Sequence, residues 1–370
     1  MTDTPPPAQA PDRRVYYFHG FDPASVERYR RIFADASSRL GVAVQDPVAG
    51  EGWRAVRDGV VTDIVHMRYE DLVRTWQSGA IWTRVFRGIR ALAGYATDGA
   101  LTRMARLGPR NLILALSPVI VIALFGLIGV FHPATDALVW DIVALLFAMA
   151  LLTVALPALF LDLVFDLFAY MRALARGTDP ASQAFGDRTA ELARNVTPDA
   201  SDTLIVGHSL GGVTAIHTLA ATLDHWPSDR PIGLLTLGST HGTVLVQRGA
   251  GRDRLAAAIE RIASDDRVFW VDVSSPRDAF CLPLLDPLCL IDAQPGMKSP
   301  RVVSARLARA PRIPGDRRTT FAAMRRHMGY LLAPVDGSGF DFADTITGTQ
   351  DLSARFGPRK NSPKARMWQG

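Results

Sequence analysis

The chain has 370 residues, 48% of them apolar and 21% charged, and 41 Lys and Arg against 36 Asp and Glu give a formal net charge of +5. These values exclude a disordered chain and a collagen-like fibre. Two cysteines, Cys281 and Cys289, are too few for a disulfide scaffold and suit a reducing compartment. Every basic residue except Lys298, Lys360 and Lys364 is Arg, which reads as compositional bias. No dense basic run with interleaved aromatics marks a nucleic-acid groove, so no nucleic-acid partner is expected.

Residues 1–14 are Pro-rich (Pro5, Pro6 and Pro7 in a row) and carry no apolar h-region, so they read as a disordered tail and not as a secretory signal. Val15 to Phe18 is a short apolar strand. Asp22 can cap a helix with Pro23 at its first position; Val26, Tyr29, Phe33, Ala36 and Leu40 mark one face and Gly41 stops it. Val60 to Tyr69 reads as another strand. Residues 84–110 are basic and amphipathic, with Val85, Phe86, Ile89, Leu92 and Ala93 on one helical face and the arginines off it. A helix lying in a membrane interface and a helix packed on the domain both fit that pattern.

Mean hydropathy is slightly positive, which is unexpected for a soluble enzyme with this charge content. The excess lies in two uncharged stretches, residues 111–131 and about 142–161. At 1.5 Å per residue each reaches ~30 Å, the thickness of a bilayer's hydrocarbon. The short joint, His132 to Asp141, forces the two to run antiparallel. Core helices normally carry a polar stripe, and these lack one, so a transmembrane hairpin is expected over residues 111–161. Pro118 and Pro157 are tolerated in such helices. Arg84, Arg87, Arg90, Arg103, Arg106 and Arg110 precede the first span, Arg172 and Arg176 follow the second, and the joint has no Lys or Arg. The charge asymmetry puts the globular portions and both termini on the cytoplasmic side, of the inner membrane if the source is bacterial.

Beyond the hairpin, Asp179-Pro180 starts a helix. Strands at 203–207, 232–237 and 268–273 then alternate with helices at 210–223 and 253–263. Continuous apolar strands between amphipathic helices predict an α/β fold, a mostly parallel sheet with helices on both faces, with the hairpin inserted in it. Residues 15–83 and 177–352 would form that domain, and the polar, basic residues 353–370 a flexible tail.

The segment Ser201 to Gly212 contains Gly207-His208-Ser209-Leu210-Gly211, a G-x-S-x-G following a buried strand and opening a helix. In that context a sharp turn lifts the Ser209 hydroxyl to the carboxyl edge of the sheet, and Gly207 and Gly211 leave room for it. Here the sequence resembles the α/β-hydrolase superfamily, in particular its lipase- and esterase-like serine hydrolases. The resemblance covers roughly residues 15–80 and 180–335, with the elbow as its specific part.

The resemblance implies a chain order of nucleophile, acid and histidine. It favours His327, in Arg325-Arg326-His327-Met328-Gly329, over His241, which follows the next strand near the sheet edge. His217 lies within the elbow helix and His225 ends it. A continuous helix over Thr319 to Leu332 would be a departure from the family, whose histidine sits on a loop or helix start. Asp278, just past the strand 268–273, is the implied orienting acid, with Asp272 in reserve; Asp286 and Asp292 read as ordinary loop residues. The oxyanion donors are the backbone N–H of Leu210 and, from the loop Phe18-His19-Gly20-Phe21-Asp22, that of Phe21. His19, Gly20, Gly207, His208 and Gly211 support the site. No metal-ligand spacing or phosphate-cradling loop occurs, so no cofactor is expected. The implied function is a membrane-anchored serine hydrolase acting on a carboxylic ester, such as an acyl lipid, or a thioester. Its partners are the bilayer and the acyl substrate. The alternative is a catalytically inactive membrane scaffold of the same fold.

Overall fold

The computed structural model describes residues 11–24, 26–47, 50–130, 143, 154–307, 310–335 and 339–369. In chain order the elements are β1 (Arg13–Phe18), α1 (Val26–Ser37), β2 (Ala43–Gln45), β3 (Gly52–Arg57), β4 (Val60–His66), α2 (Glu70–Gln77), α3 (Ile81–Thr97), α4 (Ala100–Leu107) and α5 (Pro109–Val130). There follow α6 (Leu161–Arg176), α7 (Pro180–Arg194), β5 (Asp202–His208), α8 (Leu210–Thr222), β6 (Ile232–Leu237), α9 (His241–Leu245) and α10 (Ala250–Ala263). The chain then forms β7 (Val268–Ser274), β8 (Arg301–Ser304), α11 (Ala322–Met328), α12 (Phe342–Thr347) and α13 (Leu352–Phe356).

The fold is α/β. Eight strands form one sheet in the order β2-β3-β4-β1-β5-β6-β7-β8. The pairs β2–β3 and β3–β4 are antiparallel and all the others parallel. The sheet has a hydrophobic core on each face. Because side chains alternate along a strand, Tyr16 and Phe18 of β1 enter one core and Val15 and Tyr17 the other. The first core is roofed by α3, α6, α8 and α10; the second is covered by α1 and the C-terminal helices. Strands buried on both faces must be apolar throughout, which is why β5, β6 and β7 stand out in the sequence as unbroken apolar runs.

Several boundaries differ from expectation. The strand expected at Val60 to Tyr69 ends at His66, because Glu70 opens α2. The first strand begins at Arg13, inside the expected tail; Arg13 is buried, paired with Asp202 and donating to the carbonyls of Ile346 and Gln350. The C-terminal segment, expected to be loose, is held: Ser362 N–H donates to Val302 O (2.8 Å), Arg366 N–H to Leu284 O (2.9 Å), and Val302 N–H to Asn361 Oδ1 (2.9 Å). Those partners lie more than 50 residues away in sequence, so nothing local announced them.

The basic segment 84–110 divides among α3, α4 and the first residues of α5, and its expected apolar face splits. Val85, Leu92 and Tyr95 bury against α6, where Gly88 admits the ring of Phe165. Trp82, Phe86 and Ile89 stay exposed, at 65%, 68% and 44%. Arg84 and Arg87 turn inward onto the buried Asp166 of α6: Arg84 Nε donates to Oδ2 (2.8 Å) and Arg87 Nη2 to Oδ1 (2.9 Å). The register is set by these ion pairs rather than by apolar periodicity alone.

α5 spans the first apolar stretch, with Pro118 inside it, and its side chains are described as far as Leu124. Ile113, Ile120 and Leu124 are exposed along one flank. Among the described residues no helix is long and apolar enough to cross a membrane. Most of the second expected span lies outside the described residues.

Candidate active site

β5 runs into α8 through Ser209, whose backbone (φ 59°, ψ −123°) occupies a region rarely used by residues with a side chain. The surroundings over-determine this strained turn. Ser209 N–H donates to Leu237 O (2.9 Å), and Ser209 O accepts from Gly212 N–H (3.0 Å) and Thr240 N–H (3.2 Å). A Cβ on Gly211 would collide with the carbonyl oxygens of Phe18 and His19, and one on Gly207 with the backbone of Gly211 and Gly212. The glycines flanking Ser209 are therefore required by close packing of backbone on backbone.

Asp278 follows β7, in a turn closed by its own N–H on Ser275 O (2.9 Å). Its Oδ1 accepts from Phe280 N–H (2.9 Å). Its Oδ2 accepts from His327 Nδ1 (2.9 Å), the Tyr330 hydroxyl (3.0 Å) and the Cys281 thiol (3.5 Å). Burial pushes this carboxyl up, but the facing His327 and these donors outweigh it and hold the group below the usual carboxylate range. A carboxylate so placed fixes the proton of His327 on Nδ1. Nε2 is then the basic nitrogen, and it is buried with no hydrogen-bond partner among the described residues.

His327 stands near the end of α11, which is short. The helix expected over Thr319 to Leu332 is interrupted at Phe321 (φ −78°, ψ 130°), and a 3-10 turn follows from Gly329 to Leu331. The ring stacks on Phe280 with centroids 4.6 Å apart. Its backbone carbonyl accepts from Nε2 of His208 (3.0 Å), whose ring lies 4.9 Å from that of His327. Burial drives the pKa of His208 down to about 3, and the neighbouring His327 adds to the effect, so His208 is a neutral strut.

The loop after β1 approaches from the opposite side. Asp22 N–H donates to Gly20 O (2.8 Å), closing a tight turn, and a Cβ on Gly20 would stand 3.0 Å from the Ser209 Cβ. His19 donates from Nε2 to Asp22 O (3.0 Å) and stacks on Tyr69 (4.6 Å), whose hydroxyl reaches the carbonyls of His19 and Gly20. Among the described residues, neither the N–H of Phe21 nor that of Leu210 has an acceptor. Asp22 is clamped by Arg28 and Arg318, which also bind Asp316.

Ser209, His327, Phe21 and Gly20 line one cavity of about 30 Å³ with Phe280, Met324, Met328 and, from α6, Leu163 and Leu167. Ser209 is only 3% exposed. The inserted segment returns through α6, whose Leu163 and Leu167 cover the serine cavity. Among the described residues no group of three or more His, Cys, Asp or Glu is arranged to hold a metal.

The competing residues lie elsewhere. His241 Nδ1 bonds Ser239 Oγ (2.8 Å) and its ring meets Trp270; His217 faces Phe185; His225 is exposed. Asp272 is bonded by Thr236 Oγ1 (2.6 Å), Asp286 caps the turn at Leu288, and Asp292 is exposed. Sequence reasoning missed Phe280, Cys281, Tyr330 and Tyr69. Tyr330 follows His327 by three residues, but only the 3-10 turn after α11 brings its hydroxyl to Asp278. Comparison with known protein families, characterised proteins and solved structures finds no match to this chain.

Proposed function

We propose that the chain is a membrane-anchored serine hydrolase of the α/β-hydrolase type, cleaving a carboxylic ester, such as an acyl lipid, or a thioester. The observation that carries this reading is the meeting of the strained Ser209 with His327, itself held by Asp278, at one cavity that Phe21 also lines, with the N–H groups of Phe21 and Leu210 unbonded among the described residues. Ser209 Oγ attacks the acyl carbon while His327 Nε2 takes its proton, and Asp278 stabilises the imidazolium. The N–H groups of Phe21 and Leu210 receive the charge on the tetrahedral oxygen, each contributing about 3 kcal/mol to the transition state. His327 returns the proton to the leaving group, the acyl group stays on Ser209, and water activated by His327 releases the acid.

Membrane anchoring rests on the apolar stretches 111–131 and 142–161, and the charge asymmetry around them favours cytoplasmic placement of both globular portions. The exposed Trp82, Phe86 and Ile89 of α3 are side chains that suit the same boundary.

One feature favours a second reading, an inactive scaffold: a cavity of about 30 Å³ has room for roughly one water molecule, not an acyl chain. Under the enzymatic reading α6 or α11 must shift to admit substrate. A fluorophosphonate probe on the full chain in detergent distinguishes the two. The wild type should be labelled and Ser209→Ala should not, and Ser209→Ala should lose hydrolysis across an ester panel of graded chain length. A folded wild type that takes no label and hydrolyses no ester supports the scaffold.

A further inference from the structure

A cavity far larger than the one at Ser209 opens elsewhere among the described residues. A cleft of about 1010 Å³ lies between α2, α3, α6 and α7, within the range of small-ligand sites. Its walls are mainly apolar, with Leu72, Ala91, Ala173 and Ala184 and the rings of Trp76 and Tyr170 among their residues. Its charge is one-sided. Arg87, Arg90, Arg172 and Arg176 line it against a single carboxylate, Asp179.

The bonding state of these groups shows which of them are free to meet a ligand. Asp179 caps α7, its Oδ1 accepting from the N–H groups of Ala181 (3.1 Å) and Ser182 (3.2 Å). Arg172 pairs with Asp98 and Arg87 with Asp166. Arg90 and Arg176 have no carboxylate partner among the described residues. Tyr170 is only 1% exposed, yet among the described residues its hydroxyl has no hydrogen-bond partner, and neither does the buried Nε of Arg87. Both sit against Trp76: the Tyr170 ring is 5.1 Å from it, and the Arg87 guanidinium carbon lies 4.0 Å over it. Buried donors left unpaired are costly, so two of them against Trp76 in the wall of this cleft favour a ligand that brings an acceptor.

We propose that this cleft binds a single-chain anionic amphiphile, its carboxylate or phosphate head taken by the Tyr170 hydroxyl and the arginines and its apolar chain laid along the alanine-lined wall. The site is separate from the serine cavity, although the rings of Tyr170 and Phe21 touch at 5.5 Å, and its occupancy does not require Ser209 to be a nucleophile.

Titration calorimetry with decanoate, decyl phosphate and 1-decanol, each below its micellar concentration, tests this on the purified full chain. At least one anion should bind saturably, with 1-decanol at least about tenfold weaker. Tyr170→Phe, which removes only the hydroxyl, and the exposed pair Arg90→Ala/Arg176→Ala should each weaken anion binding by about tenfold while leaving Tm in place. Ser209→Ala should bind as the wild type does. No binding by either anion, equal binding of the alcohol, or unchanged binding in both the Tyr170 and the arginine variants would overturn the proposal. Loss of binding in Ser209→Ala would place the ligand at the serine and overturn it too.

Discussion

Asp278 and Asp272 show how environment sorts two carboxyl groups six residues apart. Asp278 accepts hydrogen bonds from Phe280, His327 and Tyr330 and is held ionised. Asp272, buried inside β7 and bonded by Thr236, is pushed up to about 7 by desolvation. Replacing Asp278 by Asn removes the charge that fixes the tautomer of His327, and esterase kcat should fall by roughly 10³–10⁴-fold. Asp272→Asn should change kcat by less than about twofold, since its amide keeps the bond from Thr236 and the group never meets His327. Steady-state kinetics of the two variants side by side decide the assignment, and equal losses would contradict it. The pattern at Ser209 was legible because five contiguous residues encode it. Tyr330, Phe280 and Cys281 were not, because their meeting at Asp278 depends on how α11 and the turn after β7 pack.

At the scale of elements, the pairing of α3 with α6 is fixed by Asp166. Its carboxylate is fully buried and holds both Arg84 and Arg87, while Trp76 Nε1 donates to its backbone carbonyl (3.0 Å). A buried charge that loses its partner costs far more than the pair returns, because desolvation is then uncompensated. Asp166→Ala should therefore lower stability by about 3 kcal/mol or more. Denaturant midpoints of the full chain in detergent measure it, and a loss below about 1 kcal/mol would mean that solvent screens the cluster. The amphipathic pattern of residues 84–110 was visible in the sequence. Which arginines face inward was not, because Asp166 lies some 80 residues on, in a helix that the sequence reading passed over between the second span and Asp179.

For the whole molecule, the buried imidazoles set the response to acid. Burial is the leading cause that lowers the pKa of His66 and His208 to about 3 and of His217 and His241 to about 4, and it lowers that of His19 as well. Below about pH 6.5 the unfolded chain takes up protons at these sites that the folded chain refuses. Their contribution is complete above pH 6.5 and is lost as pH falls toward 4. By pH 5 each can cost up to about 2 kcal/mol. Asp272, with its raised pKa, works the other way, its contribution being lost as pH rises through 7, but it is one group against five. Tm should fall steadily from pH 7 to pH 5, and a flat profile over that range would show that these rings are not held neutral.

The α/β alternation, the mostly parallel sheet and the turn at Ser209 were determined by sequence alone, since each is written in contiguous residues: apolar runs of strand length, capped helices and a glycine-flanked serine. The edge strands β2 and β8, and β3 next to β2, escaped notice because they lack the continuous apolar signature of β5, β6 and β7. Tertiary structure alone decided that α6 covers Ser209, that Tyr330 steadies Asp278, that the C-terminal segment is seated against Val302 and Leu284, and that a second cleft opens behind Phe21. Each depends on residues far apart in sequence meeting under close packing, where volume, hydrogen bonding and charge are balanced together, and no local pattern of residues carries that balance.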